Sequence, residues 1–117
     1  MKTSAELVEE FADCVAAQSD AMAAGDARKG NAYAKRYVAA FKQLRERGDE
    51  GRDALAALLT HERADVRVMA AAFLLRHCGE RARAVLETEA KGKGLVAFGA
   101  AQALERWADG TWALDPL

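Results

Sequence analysis

A chain of 117 residues is long enough for one domain, and its formal net charge of −1 argues against sequence-specific binding to nucleic acid. Hydrophobic residues make up 51% of the chain but aromatic residues only 7%, because much of the apolar content is Ala. The one Pro, at position 116, leaves every helical pattern unbroken, and the sequence lacks alternating runs of β-branched residues. Composition therefore predicts an all-α protein.

The first predicted helix, residues 3–24, combines a capping signal with one apolar stripe. Thr3 and Glu6 have the spacing of a capping box, in which each side chain binds the backbone N–H of the other residue. Gly25 is expected to end this helix and Asp26 to cap the next one. The stripe covers about 100° of arc and consists of Leu7, Phe11, Cys14, Val15, Gln18 and Met22.

The second predicted helix, residues 26–47, has a buried stripe and a basic outer face. Residues 27–47 hold seven basic and one acidic residue, whereas residues 1–26 hold one basic and six acidic residues. The buried stripe consists of Tyr33, Tyr37, Val38, Phe41 and Leu44. The outer face consists of Lys35, Arg36, Lys42, Gln43 and Arg47. Its members Lys35, Arg36 and Lys42 are candidate partner-binding residues, and the alternative is a solvated face balanced by the acidic first helix.

Two further helices are predicted in the middle of the chain. Gly48 and Gly51 are expected to form a break before the third helix, which covers residues 52–60. The fourth helix, residues 65–77, is apolar nearly all round, so it is expected at the centre of the domain. Because this helix is apolar on all faces, Phe73 and Leu74 are expected to be almost fully buried.

The last two predicted helices, residues 80–89 and 95–108, are followed by a C-terminal clasp, residues 109–117. Its apolar part is expected to fold back on the helices. Trp112 is a candidate partner-binding residue, since Trp is enriched among binding hot spots. The alternative is that Trp107 and Trp112 cover the open apolar end of a helical stack.

Residues 51–109 contain two successive stretches built to one plan, each an amphipathic run followed by a polar turn and an Ala-rich helix. The two Ala-rich helices align at an offset of 29 residues, which is typical of stacked helix pairs. The alignment predicts equivalent positions: Val66 with Leu95, Met69 with Phe98, Ala71 with Ala100, and Leu75 with Leu104. The resulting prediction is one domain, residues 1–117, with helix pairs over 3–47, 51–77 and 80–108.

The stretch LLTHERADVRVMAAAFLL, residues 58–75, resembles a HEAT repeat. Val66 and Arg67 match the Val-Arg pair that opens the second helix of such repeats, whereas His61 stands where they carry Asp. The whole chain is similar to a family of small bacterial HEAT-like helical proteins, a domain of unknown function, in LVEEF near the start, the run 25–31, LRERG at 44–48 and a final Trp-x-x-Gly. The resemblance implies a six-helix HEAT-like or armadillo-type right-handed helical array.

The two cysteines and the distribution of apolar residues indicate a cellular location. Cys14 and Cys78 are far apart and have no metal-ligand spacing, which favours a reducing compartment. No run approaches the ~18 apolar residues of a membrane helix, and the acidic start does not resemble a signal peptide. The sequence therefore predicts a cytoplasmic protein with no membrane contact.

No set of residues specifies a chemistry, and we expect no catalytic, cofactor-binding or metal-binding residue. His61 and His77 lack further ligands at metal spacing, and the Lys-Gly-Lys-Gly turn at 91–94 lacks the pattern of a phosphate-binding loop. The prediction is a non-enzymatic protein–protein interaction module, in its sharpest form an immunity or antitoxin-type protein that occludes a partner enzyme. The alternative is a small enzyme or a ligand- or nucleic-acid-binding accessory protein, which a polar pocket near Tyr37, His61 and Arg67 would favour.

Overall fold

Residues 1–116, the part of the chain that the computed structural model describes, form six α-helices, one short 3-10 helix (Ala57–Thr60) and no strand, and this confirms the all-α prediction. The helices are α1 (Ser4–Ala23), α2 (Ala27–Glu46), α3 (Asp49–Ala56), α4 (Ala64–Phe73), α5 (Gly79–Ala90) and α6 (Leu95–Asp109). The chain divides after Leu58 into an N-terminal unit with α1–α3 and a C-terminal unit with α4–α6. The single domain of residues 1–117 stays a prediction. None of the helices within residues 1–116 is long and apolar enough to cross a membrane.

The start of α1 is fixed by the predicted capping box. The Oγ1 atom of Thr3 accepts a hydrogen bond from the Glu6 backbone N–H at 3.1 Å, and the Glu6 carboxylate accepts one from the Thr3 N–H at 2.9 Å. These two bonds satisfy two of the N–H groups that a helix start leaves open. Because the charged form of the carboxylate accepts them, they lower the pKa of Glu6.

In the N-terminal unit, α1 and α2 pack against each other through the two predicted stripes. Leu7 and Phe11 have no exposed surface, and the Phe11 ring meets the Tyr37 ring edge-on with their centroids 5.5 Å apart. Burial raises the pKa of the Tyr37 hydroxyl and of the Cys14 thiol, because it disfavours their charged forms. The stripe prediction fails at Met22, which is exposed.

Met22 is exposed because α2 presents backbone rather than a side chain beneath it. A Cβ atom built on Gly30 of α2 would lie 2.7 Å from the Met22 sulfur. Met22, at the end of the α1 stripe, therefore packs against Gly30, which has no side chain with which to cover it.

The third helix begins earlier than predicted, at Asp49, because Gly51 lies inside α3 rather than in a break before it. The backbone of Gly51 lies against the last turns of α2: a Cβ atom built on it would be 1.9 Å from the carbonyl oxygen of Leu44. Gly48, with φ +69°, makes the turn between the two helices in the left-handed region. The predicted break is therefore correct at Gly48 and wrong at Gly51.

The fourth helix ends at Phe73, four residues before the predicted end at His77. The N–H of Leu74 donates to the carbonyls of Ala70 and Ala71, at 3.0 and 3.1 Å, and the chain then leaves in a series of turns. Phe73 and Leu74 are nonetheless buried, with 3% and 0% of their surface exposed, as predicted.

The repeat alignment correctly pairs Ala71 with Ala100, both fully buried, but it fails for the larger residues. Val66 has no exposed surface, whereas its predicted equivalent Leu95 is 81% exposed, and Phe98 is 60% exposed. The physical reason is that α6 packs on α4 and α5 through its small residues, such as Ala100. Its larger residues at 95 and 98 consequently lie on the opposite side of the helix.

Alanine substitution of two helix-interior glycines provides a test of the close contact at Gly51. Gly51→Ala should destabilise the protein by about 3 kcal/mol or more, because the new methyl group meets backbone that cannot rotate away. Gly99 of α6 is the matched control, since a Cβ there meets no atom within 4 Å. Gly99→Ala should be neutral or stabilise by up to about 1 kcal/mol, as helix propensity favours Ala. Urea unfolding measures both, and equal effects would contradict the contact.

Truncation of buried and exposed leucines provides a test of the burial pattern in the C-terminal unit. Leu74→Ala should cost about 2–5 kcal/mol of unfolding free energy, because it leaves a cavity, and Phe73→Ala should cost about 3–5 kcal/mol. Leu95→Ala should change it by less than about 0.5 kcal/mol, because the side chain is in water. A thermal melt that shifts equally for Leu74→Ala and Leu95→Ala would overturn the assignment of core and surface.

Candidate interaction surfaces

The basic face of α2, defined as Lys35, Arg36 and Lys42, is exposed along its whole length. Lys35 and Lys42 point into solvent, but Arg36 leans toward α1, where its Nη2 atom lies 3.6 Å from a Glu10 carboxylate oxygen. The Arg36 guanidinium also lies over the Tyr33 ring, 5.8 Å from its centroid. The face therefore has two solvated lysines and one arginine that is partly neutralised by α1.

Glu10 is the residue through which the acidic α1 and the basic α2 balance each other. Its carboxylate accepts a hydrogen bond from Lys2 Nζ at 2.6 Å and also attracts Arg36. The bond from Lys2, together with the two nearby positive charges, lowers the pKa of Glu10 despite some desolvation. For Arg36, this arrangement supports the alternative that the basic face is balanced by the acidic first helix. It supports that alternative less for Lys35 and Lys42.

Arg47 does not belong to the outer face of α2 on which the sequence pattern placed it. Its Nη1 atom donates to the Ser4 hydroxyl at 2.9 Å, and its Nη2 atom donates to the carbonyl of Lys2. The Ser4 hydroxyl in turn donates to the carboxylate of Glu50 at 3.1 Å. A long Arg side chain can reach back over a helix end, and here it ties the start of α1 to the end of α2 and the first turn of α3.

The turn before α4 uses the polar groups that were considered for chemistry. The Nδ1 atom of His61 accepts a hydrogen bond from the Arg63 backbone N–H at 3.0 Å. Arg67 donates to the carbonyl of His61 at 2.8 Å, to the carbonyl of Glu62 at 3.1 Å and to the Glu89 carboxylate at 2.6 Å. These side chains hold the turn and join it to α5. Over residues 1–116, no group of three or more His, Cys, Asp or Glu residues is placed to hold a metal ion.

After α6 the chain folds back along the C-terminal unit. Gly110 adopts a left-handed conformation, and the N–H groups of Thr111 and Trp112 both donate to the carbonyl of Arg106, at 3.0 and 3.1 Å. From here on the clasp means residues 111–114, a shorter segment than the predicted 109–117, because Asp109 belongs to α6 and Gly110 caps that helix. Leu117 lies outside the described residues. The Trp112 ring packs edge-on against the Trp107 ring, with centroids 5.1 Å apart, and the Arg76 guanidinium lies 5.3 Å from the Trp112 ring centroid.

The indole N–H of Trp112 donates to the carbonyl of Ala72 at 2.8 Å. Ala72 lies in the last turn of α4, where carbonyls lack an intrahelical partner because the helix ends at Phe73. Trp112 therefore acts as a side-chain cap of α4, which accounts for part of its burial and anchors the clasp.

A groove of about 330 Å³ lies between α4, α6 and the clasp. It is lined mainly by apolar atoms, and Arg106 is the one charged residue among the described residues that form it. The residues from the helices are Val68, Met69 and Ala72 of α4 and Gly99, Gln102, Ala103 and Arg106 of α6. Tyr37, His61 and Arg67 do not line this groove.

The exposed residues Leu95 and Phe98 do not line this groove, but they lie on the same side of α6 as its lining residues Gly99, Gln102 and Arg106. At 100° per residue, Leu95, Phe98, Gly99, Gln102 and Arg106 share an arc of about 100°, opposite to Ala97 and Ala100. We call these five residues the α6 outer face. A helical wheel of α6 alone places Leu95 and Phe98 away from Ala97 and Ala100, whereas Leu104 and Trp107 share the side of these alanines.

Together, these features define an all-helical protein in which several of the described polar side chains join helix ends and in which two exposed large apolar side chains, Leu95 and Phe98, lie on α6. The chain belongs to the family described as Domain of unknown function (DUF2019), whose model matches residues 5–107. The match runs from the first turn of α1 to near the end of α6. No curated protein and no solved structure matches the chain.

Removal of the indole N–H provides a test of the cap on α4. Trp112→Phe should lower the unfolding free energy by about 1–3 kcal/mol, because the Ala72 carbonyl loses its hydrogen bond while an aromatic ring remains. Trp107→Phe is the matched control: it perturbs the same ring pair but leaves the bond to Ala72 in place. Thermal unfolding of both variants is the measurement. A larger loss in Trp107→Phe than in Trp112→Phe would contradict the capping role.

Proposed function

We propose that this protein is a non-enzymatic module that binds another protein through the C-terminal unit. The observation that carries the proposal is the exposure of Leu95 and Phe98, 81% and 60%, on the side of α6 that also lines the apolar groove. Neighbouring large apolar side chains on a surface are a common mark of a protein–protein interface, because a partner removes them from water.

The use of the polar side chains supports binding rather than catalysis. His61 and Arg67 are joined to backbone groups and to Glu89, so their hydrogen-bonding capacity serves the turn before α4. The two raised pKa values, of Cys14 and Tyr37, follow from burial in the packing of α1 and α2. A catalytic group needs access to substrate, and these two groups are enclosed.

The finer proposal is a HEAT-like right-handed array of the armadillo type. It rests on the resemblance of residues 58–75 to a HEAT repeat and on the contacts of Arg67. That residue binds the two carbonyls of the preceding turn and a carboxylate of α5, so a linking Arg is kept although His61 replaces the usual Asp. In its sharpest form, the protein acts in the bacterial cytoplasm as an immunity or antitoxin-type protein that occludes a partner enzyme.

Two surfaces contribute to binding in this proposal. Trp112 lines the groove beside the α6 outer face, so it contributes as part of a fixed wall. Lys35, Arg36 and Lys42 contribute long-range attraction to an acidic partner, which raises the association rate more than it slows dissociation.

The experiment is a comparison of two sets of charge variants against a partner purified by affinity capture. Leu95→Glu with Phe98→Glu should weaken binding by at least about tenfold, because charges replace apolar anchors. Lys35→Glu, Arg36→Glu and Lys42→Glu together should slow association and flatten its salt dependence. Neither set should change melting much, since exposed side chains contribute under about 1 kcal/mol each.

Binding kinetics at two salt concentrations and circular dichroism are the measurements. If the double apolar variant binds its partner with unchanged affinity, the proposed interface on α6 is wrong. If the triple basic variant keeps both its association rate and its salt dependence, the basic face is only solvated surface.

A further inference from the structure

We propose that the groove and the α6 outer face take one amphipathic helix of the partner, and that this helix carries an acidic side chain next to its apolar stripe. The inference rests on the proposed function, and it specifies the chemistry of the ligand. It combines three features of the C-terminal unit: exposed apolar anchors, a groove with a glycine at its middle, and one charged residue in the described groove lining.

The first feature is the length and shape of the surface. From Leu95 to Arg106 the α6 outer face extends about 16 Å, or three helical turns. Leu95 and Phe98 stand at one end as exposed anchors, and the groove runs beside the rest of the face. A helix that presents apolar residues at i, i+3, i+4 and i+7 places its anchors over about 10 Å, or two turns, which leaves the third turn of the face for a charged contact.

The second feature is the space at the middle of the face. Gly99 and Ala103 lie one turn apart and both line the groove. A Cβ atom on Gly99 would meet nothing within 4 Å, so the chain leaves room there for a large side chain of a partner. Val68 and Met69 of α4 and the Trp112 ring form the remaining apolar walls.

The third feature is the charge of Arg106. It is exposed, and it is the one charged residue among the described residues lining the groove. Asp109, one turn further along, accepts hydrogen bonds from the N–H and the hydroxyl of Thr111; these bonds and the nearby positive charge of Arg106 lower its pKa. On the helical wheel Glu105 lies beside Phe98, about 120° from Gly99 and about 160° from Ala103, so it is not part of the groove lining. A ligand that fills the groove therefore meets a positive charge, which a carboxylate complements.

A second copy of this chain fits the surface less well. If two α6 helices paired antiparallel about the middle of the face, each Arg106 would lie against a Leu95 of the other copy rather than against a carboxylate. A stable dimer also buries about 800 Å² on each side, whereas this face is only three helical turns long. A single helix with its own carboxylate meets both constraints.

The test uses two fluorescent peptides of about 16 residues, which is roughly 24 Å of helix. Both carry Leu and Phe at i, i+3, i+4 and i+7, and they differ only in Glu or Lys at the positions flanking the stripe. Fluorescence anisotropy measures their binding to the full chain at two salt concentrations. The acidic peptide should bind saturably, and the basic peptide at least about tenfold more weakly.

Three variants define the site. Arg106→Glu should reverse the preference between the two peptides, and Gly99→Leu should weaken the acidic peptide at least about tenfold, because the leucine occupies the groove. Lys93→Glu changes the same charge in the exposed turn before α6 and should leave both affinities unchanged. Each variant is melted first, so that only folded protein is compared.

Equal binding of the two peptides, or loss of binding in Lys93→Glu as great as in Arg106→Glu, overturns the inference. Concentration-dependent dimerisation in light scattering that Phe98→Glu abolishes overturns it in favour of a second copy. If neither peptide binds while the purified partner still depends on Leu95 and Phe98, the inference fails and the proposed function stands. If the purified partner is also insensitive to those two residues, both fail.

Discussion

The hydrogen bond from Trp112 to the carbonyl of Ala72 determines much of the surface of the C-terminal unit. Because α4 ends at Phe73, its last carbonyls need partners from elsewhere, and the indole supplies one of them. The same bond holds the clasp against the helices, and the clasp is the third wall of the groove. One side chain, Trp112, thus connects the end of α4, the fold-back of the chain and the shape of the candidate site.

Two arginine side chains likewise connect helix ends to neighbouring segments. Arg47 joins three helices of the N-terminal unit through Ser4 and a backbone carbonyl, and Arg67 joins the turn before α4 to α5. In both cases the guanidinium offers several N–H donors in a fixed plane, which suits groups of carbonyl and hydroxyl acceptors. From the sequence alone, such arginines look like solvent-exposed charges. In the structure they hold helix ends and turns together.

Local physics made part of the fold predictable from the sequence. The capping box at Thr3 and the stripes of α1 and α2 depend on residues within a few positions of one another. The capping box is confirmed, and so are the stripes except at Met22, which is exposed, and at Gln18, Tyr33 and Val38, which are half-buried. The end of α4 was not predictable in this way, because its cap lies 40 residues further along the chain. Likewise, Gly51 looks like a helix break in the sequence, and only the approach of the Leu44 carbonyl shows why it is a glycine.

The candidate site was harder to predict than the fold. The alignment of Val66 with Leu95 correctly detects that two helices share a pattern, but a shared pattern does not specify which neighbours cover a residue. Coverage depends on packing between elements, and α6 packs through its alanines. Of the four partner-binding residues suggested by the sequence, Trp112 lies at the groove, whereas the alignment of Phe98 with Met69 gave no sign that Phe98 is exposed.

The aromatic residues are sorted by type between the two units. Both tryptophans of the chain, Trp107 and Trp112, lie in the C-terminal unit and touch each other, whereas both tyrosines, Tyr33 and Tyr37, lie in the N-terminal unit. Indole emission therefore reports on one unit alone, and tyrosine absorbance reports on the other. The unlabelled chain carries its own pair of optical probes, and the coincidence or separation of their unfolding curves measures how cooperatively the two units melt.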